Sequence, residues 1–224
     1  MSIYAFADLH GNGLLWDQIK TFLKPEDRAY FLGDAIDRGP DGWRIMNEII
    51  ADERITYIKG NHEDMLYQDI IRPNNYDVIA IHYQNGGAQT LRDLWDMSDE
   101  QRIELKKTIF YLPTYVVYKN NDGVNIFLSH SGGTNIKDDH DLIWNRDIMT
   151  PVPAEYDLVV HGHTPIPLII KSYPRYFKDA DWTDGAFWYQ NDKRVCLDCG
   201  AVWTNQTVLL NLDTFDEEIF VAEK

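Results

Sequence analysis

The sequence predicts an α/β protein in which two mixed β-sheets pack face to face as a sandwich flanked by α-helices. Three observations carry that reading. Residues 3–71 repeat strand, polar loop and helix three times, a pattern that calls for parallel strands joined by right-handed crossovers. From residue 115 onward, short apolar runs alternate with turn residues, so the second half reads as an antiparallel or mixed sheet packed on the first. The 224 residues, 44% of them hydrophobic, suffice for one sizeable core.

The first strand is Ile3 to Ala7, ending in Asp8-Leu9-His10-Gly11-Asn12-Gly13. Leu15, Ile19, Phe22 and Leu23 then recur at helical spacing, and Pro25 closes that helix. A second strand, Ala29 to Leu32, runs into Gly33-Asp34-Ala35-Ile36-Asp37-Arg38-Gly39, where two carboxylates and a guanidinium fall within five positions between glycines. Pro40-Asp41-Gly42 opens a second helix with Trp43, Met46, Ile49 and Ile50 on its apolar side. The third strand, Arg54 to Lys59, ends in Gly60-Asn61-His62-Glu63, and a helix follows from about Asp64 to Ile71. Glu63 and Asp64 suit the positive end of that helix. Residues 73–112 read as helical, broken at Asn85-Gly86-Gly87 and restarted at Ser98-Asp99-Glu100. Tyr115–Tyr118 and Val124–Leu128 flank Asn120-Asn121-Asp122-Gly123, a hairpin signal. The second hairpin strand ends in Ser129-His130-Ser131-Gly132-Gly133. Tyr156–Val160 is a strand leading to His161-Gly162-His163-Thr164-Pro165, and Val195–Leu197 and Val202–Leu212 read as further strands. One domain, residues 1–224, is expected, with an aromatic-rich insertion at about 171–190 that holds Tyr173, Tyr176, Phe177, Trp182, Phe187, Trp188 and Tyr189. Those aromatics read either as packing on the sandwich or as a flap beside the site.

Charge narrows the function. The net charge is -15, from 21 basic and 36 acidic residues. Such a chain is a poor non-specific ligand for nucleic acid or for an anionic membrane. No apolar run approaches the ~20 residues of a membrane span. The apolar start is short and lacks a basic region, so it reads as a strand and a cytoplasmic location is expected. Cys196 and Cys199 form an isolated Cys-x-x-Cys in a strand context and read as buried thiols.

In open α/β sheets, sites form beyond the carboxyl ends of strands. Asp8, His10, Asp34, Asp37, Arg38, Asn61 and His62 should therefore converge, although more than fifty positions separate the first from the last. Of these, Asp8, His10, Asp34 and Asn61, with His130 and His163, offer carboxylates, one amide and imidazoles but no thiolate, a set suited to divalent Mn, Fe, Zn or Co. Six such ligands are too many for one ion and right for two, which could clamp the attacking and leaving oxygens of a displacement at phosphorus. Arg38 and Arg146 could grip phosphate oxygens through their planar forks. His62 is placed as a general acid, with Asp37 orienting its ring. His82 and His140 lie outside these motifs and read as surface or structural.

Asp8-x-His10, Gly33-Asp34-x-x-Asp37-Arg38-Gly39, Gly60-Asn61-His62-Glu63, His130 and Gly162-His163 resemble, in order, the signature of the phosphoprotein phosphatase family of calcineurin-like metallophosphoesterases. The chain is most similar to the small bacterial and phage serine/threonine phosphatases of the lambda phage type, and the likeness extends to Asn85-Gly86-Gly87, Trp144-Asn145-Arg146 and Leu197-Asp198-Cys199-Gly200-Ala201. The resemblance implies a four-layer α/β/β/α fold. It implies two divalent ions, manganese first with iron or zinc also found: Asp8, His10 and Asp34 on one, and Asp34, Asn61, His130 and His163 on the other. His62 with Asp37 would be the acid pair, and Arg38 and Arg146 would bind substrate. The implied reaction is direct attack of a metal-bridging hydroxide on a phosphoserine or phosphothreonine protein or peptide, by a monomer without nucleic-acid or membrane partners. The alternative is symmetrical hydrolysis of diadenosine tetraphosphate at the same site. A metal-free scaffold should have lost ligands, and every expected one is present. His161 departs from the family pattern. It is expected to be a hydrogen-bonded neighbour, with His163 the ligand.

Overall fold

The computed structural model describes residues 1–223. β1 (Ile3–Phe6), α1 (Gly13–Phe22), β2 (Arg28–Phe31), α2 (Gly42–Ala51), β3 (Ile55–Tyr57) and α3 (Asn61–Ile71) realise the three strand–loop–helix units. α4 (Tyr76–His82), a π-type turn (Tyr83–Gly87), α5 (Ala88–Asp96) and α6 (Asp99–Tyr111) fill the middle of the chain. The hairpin β4 (Tyr115–Lys119) and β5 (Asn125–Ser129) comes next, then α7 (Asp139–Trp144), β6 (Leu158–His161), α8 (Ile166–Ser172) and α9 (Pro174–Phe177). β7 (Phe187–Tyr189), β8 (Arg194–Cys196), α10 (Ala201–Thr204), β9 (Gln206–Asn211) and β10 (Glu217–Val221) complete the chain.

The strands form two five-stranded mixed sheets, ordered β10-β9-β1-β2-β3 and β4-β5-β6-β8-β7. β1, β2 and β3 are parallel, as are β5, β6 and β8, so the loops after all six emerge at carboxyl ends. Strand alternation sorts side chains into layers. Ile3, Ala5, Val208 and Leu210 meet Ile126, Leu128, Leu158 and Val160 between the sheets. Phe6, Phe31 and Leu209 point the other way, onto Leu15, Trp16 and Ile19 of α1 and Ile45, Met46 and Ile49 of α2. Phe127 and Val159 face outward from the second sheet onto Leu142 and Ile143 of α7. This is the predicted sandwich between helices.

Three expectations need correction. Residues 202–212 are not one strand. Gly200 (φ 72°) and Asn205 (φ 54°) both lie in the left-handed region and enclose the single helical turn of α10 before β9 begins. β9 and β10 belong to the first sheet, because β9 pairs antiparallel with β1 through Tyr4↔Asn211 and Ala5↔Leu210. α3 starts at Asn61, three residues earlier than the charge pattern suggested. The 171–190 stretch spans the end of α8, then α9 and the edge strand β7. Tyr173, Phe177, Trp182, Phe187 and Trp188 are partly buried against the inter-sheet core and Tyr189 is buried, while Tyr176 is exposed. Cys196 and Cys199 are buried free thiols. No helix among the described residues is long and apolar enough to cross a membrane.

Candidate functional site

The carboxyl-end loops of both sheets meet at one place. Asp8, His10, Asp34, Asn61, His62, His130 and His163 are all buried there. Asp8, Asp34 and His130 offer ligand atoms within 4.8 Å of one another, and so do His10, Asp34 and His62, so Asp34 is common to both groups. The loops reach this arrangement through strained backbone. Of the eleven described non-glycine residues with positive φ, six are Asp8, His10, Asp34, Asp37, Arg38 and His163. Left-handed φ is costly for such residues and persists only where surrounding structure enforces it. Part of that enforcement comes from backbone bonds between the loops: Asp8 N–H donates to Gly33 O at 3.1 Å, His10 N–H to Asp34 O at 2.9 Å and Gly39 N–H to His10 O at 3.0 Å.

The donor set fits divalent metal on this structure's own hydrogen bonds. A backbone carbonyl can only accept, so a ring nitrogen facing one must carry its proton. His10 Nδ1 faces Ile36 O at 3.0 Å and His130 Nδ1 faces Leu32 O at 2.6 Å. When these rings are neutral, each turns a bare Nε2 inward: His10 Nε2 lies 3.5 Å from Asp34 Oδ2, and His130 Nε2 lies 3.5 Å from Asp34 Oδ1. Asn61 Oδ1 is 3.0 Å from His130 Nε2 and 2.8 Å from His163 Nδ1, and His163 Nε2 is buried without a partner. Lone pairs converging on carboxylates call for cations; the Arg38 guanidinium serves His10 Nε2, and His163 Nε2 has no such partner. Burial pushes His10 and His163 well toward their neutral forms, and His130 in the same direction. Burial, with the charges of Asp198 and Asp34, pushes Asp8 up. Burial also opposes ionisation of Asp34, but the surrounding imidazoles of His130, His62 and His10, with the His62 backbone N–H that donates to it at 3.0 Å, outweigh burial and hold its carboxyl far below the usual range.

Beside these donors lies a different arrangement. His62 Nδ1 is 2.5 Å from Asp37 Oδ2, while its Nε2 is 2.9 Å from a guanidinium nitrogen of Arg38. The other terminal nitrogen of Arg38 is 2.7 Å from His10 Nε2, so one guanidinium spans the metal donors and the acid candidate. Arg146 lies farther out, exposed, with Nη1 3.3 Å from Thr164 Oγ1.

His161 is excluded from the donor set by its contacts: its Nε2 meets Tyr189 OH at 2.7 Å and its Nδ1 meets Gly162 O at 3.0 Å. His140 is exposed. His82, in contrast, is fully buried, with Nε2 2.8 Å from Asp37 Oδ2 and Nδ1 hydrogen-bonded to Asp69 Oδ2. Two further buried acids carry weight beyond their sequence reading. Glu63 does more than complement a helix end. It accepts from the backbone N–H groups of Asp34 (2.9 Å), Ala35 (3.0 Å) and Gly60 (3.0 Å) and from Tyr57 OH (2.7 Å), tying the second and third loops together. Burial and the Asp34 charge push its carboxyl up to about 7. Asp198 lies just beyond β8. Its charge acts on Asp8, and its Oδ2 is buried without a partner. The sequence signals for Glu63 were its place in Gly60-Asn61-His62-Glu63 and in the first turn of the helix, and neither points to Asp34 or Ala35.

Comparison with known proteins identifies the class. A family model described as calcineurin-like phosphoesterase matches residues 1–196, and the chain belongs to that family. It is a phosphoesterase whose buried histidines and aspartates are consistent with the family's dinuclear metal site. A curated relative, the asymmetrical bis(5'-nucleosyl)-tetraphosphatase PrpE of Anoxybacillus flavithermus (strain DSM 21510 / WK1), is 24% identical over 88% of this chain and 80% of its own. Among solved structures, one provisionally described as a diadenosine tetraphosphatase aligns with a TM-score of 0.63 at 12% identity, over 99% of this chain and 94% of that one. A protein serine/threonine phosphatase from Saccharomyces cerevisiae aligns at 0.59 and 14% identity, over 100% and 81%. At these identities the solved structures speak for the fold alone.

Proposed function

We propose that the chain hydrolyses a dinucleoside polyphosphate, with diadenosine tetraphosphate the first substrate to test. The observation that carries this reading is the curated relative, whose named activity is on such compounds and whose alignment takes in 88% of this chain. Dephosphorylation of phosphoserine and phosphothreonine proteins is the second reading. It is favoured by the chain length and by the Trp144-Asn145-Arg146 segment, whose exposed arginine reaches Thr164 Oγ1 beside His163.

Both readings use the same residues. Asp8, His10 and Asp34 would hold one divalent ion, and Asp34, Asn61, His130 and His163 a second, manganese being the first to try, then iron or zinc. When bound, such ions supply Lewis acidity at the phosphoryl oxygens. Arg38 and Arg146 take further phosphoryl oxygens. Water adds to phosphorus and the bond to the leaving oxygen breaks. His62, held at Nδ1 by Asp37, gives that oxygen the proton from Nε2. In the structure a guanidinium N–H of Arg38 donates to Nε2 at 2.9 Å, so that nitrogen takes up its proton as the guanidinium turns to the phosphoryl oxygens.

The test is product analysis with manganese present, diadenosine tetraphosphate in one arm and a phosphothreonine peptide in the other, each with an Asp34→Asn control. Turnover of the dinucleotide supports the first reading, and its products fix the bond: two ADP for symmetrical cleavage, ATP with AMP for asymmetrical. Turnover of the peptide alone overturns that reading in favour of the second.

A further inference from the structure

The reaction as proposed leaves two buried ionisable groups behind the acid pair, His82 and Asp69, without a part. Asp37 accepts from three directions. His62 Nδ1 of α3 reaches its Oδ2 at 2.5 Å, His82 Nε2 of α4 reaches the same oxygen at 2.8 Å, and Thr90 Oγ1 of α5 reaches Oδ1 at 2.5 Å. His82 in turn bonds Asp69 of α3 through its other ring nitrogen. Both ring nitrogens of His82 therefore face carboxylate oxygens and both donate. The result is a row, His62–Asp37–His82–Asp69, in which imidazoles and carboxylates alternate and all four residues are at most 3% exposed.

Stability alone is a weak reason for such a row. Buried ion pairs are often matched or bettered by apolar residues of similar volume, because desolvation offsets the attraction. The backbone is nevertheless shaped to admit it. A side chain on Gly87 would collide with the His82 ring. The preceding Gly86 takes φ 99°, and its carbonyl accepts the Arg38 N–H at 3.1 Å. One turn thus makes room for His82 and braces Arg38.

We infer that His82, backed by Asp69, is a positioning residue for the acid step: it fixes the Asp37 carboxylate in the orientation that grips His62 Nδ1 and aims Nε2 at the leaving oxygen. A carboxylate bonded only to His62 could rotate about its terminal torsion. Donors from α4 and α5 on its two oxygens remove that freedom. This inference rests on the acid role proposed for His62.

Leaving-group dependence tests it, because an acid matters most when the departing oxygen is poor. Turnover of phenyl phosphate, with a poor leaving group, is compared with that of p-nitrophenyl phosphate, with a good one, for wild type, His82→Leu, His82→Gln and His62→Asn. His62→Asn sets the scale, since general acid catalysis is worth ~10²–10⁴-fold. His82→Leu is expected to lower kcat on phenyl phosphate about tenfold more than on p-nitrophenyl phosphate, with similar KM changes on both. His82→Gln, which can still donate to Asp37, should recover part of the bias. Equal losses on both substrates from a protein with wild-type circular dichroism would make His82 structural only and overturn the inference. So would a bias in His62→Asn that is absent from His82→Leu. Absence of bias in His62→Asn itself would remove the acid role, and this inference with it. Should His82→Leu fail to fold, Asp69→Asn replaces it, with a smaller bias of the same sign expected and none overturning the inference.

Discussion

The buried cluster around Asp34 and the His62–Asp37–His82–Asp69 row lie side by side and solve opposite electrostatic problems. Around Asp34, carboxylates crowd carboxylates and bare imidazole nitrogens point at them, so the charge is left unbalanced and an orphaned His163 Nε2 is tolerated. Around Asp37, charges alternate and most polar atoms find partners within the protein. The first region is built to be completed by something from outside, the second to be nearly complete beforehand. Substitutions in the first should therefore be felt as lost ligand, and in the second as altered chemistry and pH response.

The largest effect expected is from Asp34→Asn, which removes the carboxylate common to both donor groups. Metal content by elemental analysis should fall below two ions per chain and turnover should drop by at least ~10²-fold, since even partners behind a ligand are worth 10–100-fold. Two ions bound at wild-type affinity would break the contrast. Next, adding manganese to chelator-treated protein should raise the melting temperature, because a ligand that binds only the folded state stabilises it by about 2.7 kcal/mol at a hundred times its Kd. Asp34→Asn should shrink that rise, whereas His82→Gln should keep it.

The acid row should show itself in pH. Burial would lower the pKa of His82, but hydrogen bonds to Asp37 and Asp69, together with their charges, push it up to about 9. The folded value lies above the ordinary histidine value of about 6.5. Its contribution to stability is therefore fully present below pH 6.5 and fades as pH rises through 9. Denaturant midpoints at pH 6.5 and 9.5 should differ more for wild type than for His82→Gln, and equal differences would refute the assignment. The smallest effect belongs to Tyr189→Phe, which removes the partner of His161 Nε2. A loss of about 1 kcal/mol with unchanged metal content is expected. A fall in metal content would return His161 to the donor set.

Much of the site was legible in the sequence because its residues come directly after strands, where a period of two and a terminal glycine give sharp signals. Asp8, Asp34, Asn61 and His130 could be ordered onto one edge before any coordinates. His82 could not. It ends a helix with no motif of its own, and its partners Asp37 and Asp69 lie 45 and 13 positions away. Glu63 was visible but its weight was not, since a local charge–dipole reading accounts for it without reference to Asp34 and Ala35. The 201–204 turn hides in the sequence because Ala201-Val202-Trp203 has strand-like composition, and only the left-handed residues at both ends interrupt the run. β10 hides for a related reason: Glu217-Glu218-Ile219-Phe220-Val221 is an edge strand whose acidic start reads as loop.

The turn at Tyr83–Gly87 also acts as a ruler. His82 and Thr90 approach Asp37 from opposite sides of it, so the count of residues between them is fixed by a target that neither helix contains. Each residue added to or taken from a helix rotates the downstream side chains by ~100°. A single-residue deletion at 83–87 would swing Thr90 away from Asp37 while leaving the composition of the segment nearly unchanged. Along this stretch, then, length is constrained as well as the two glycines, and related chains that shorten it would have to hold their acid by some other means.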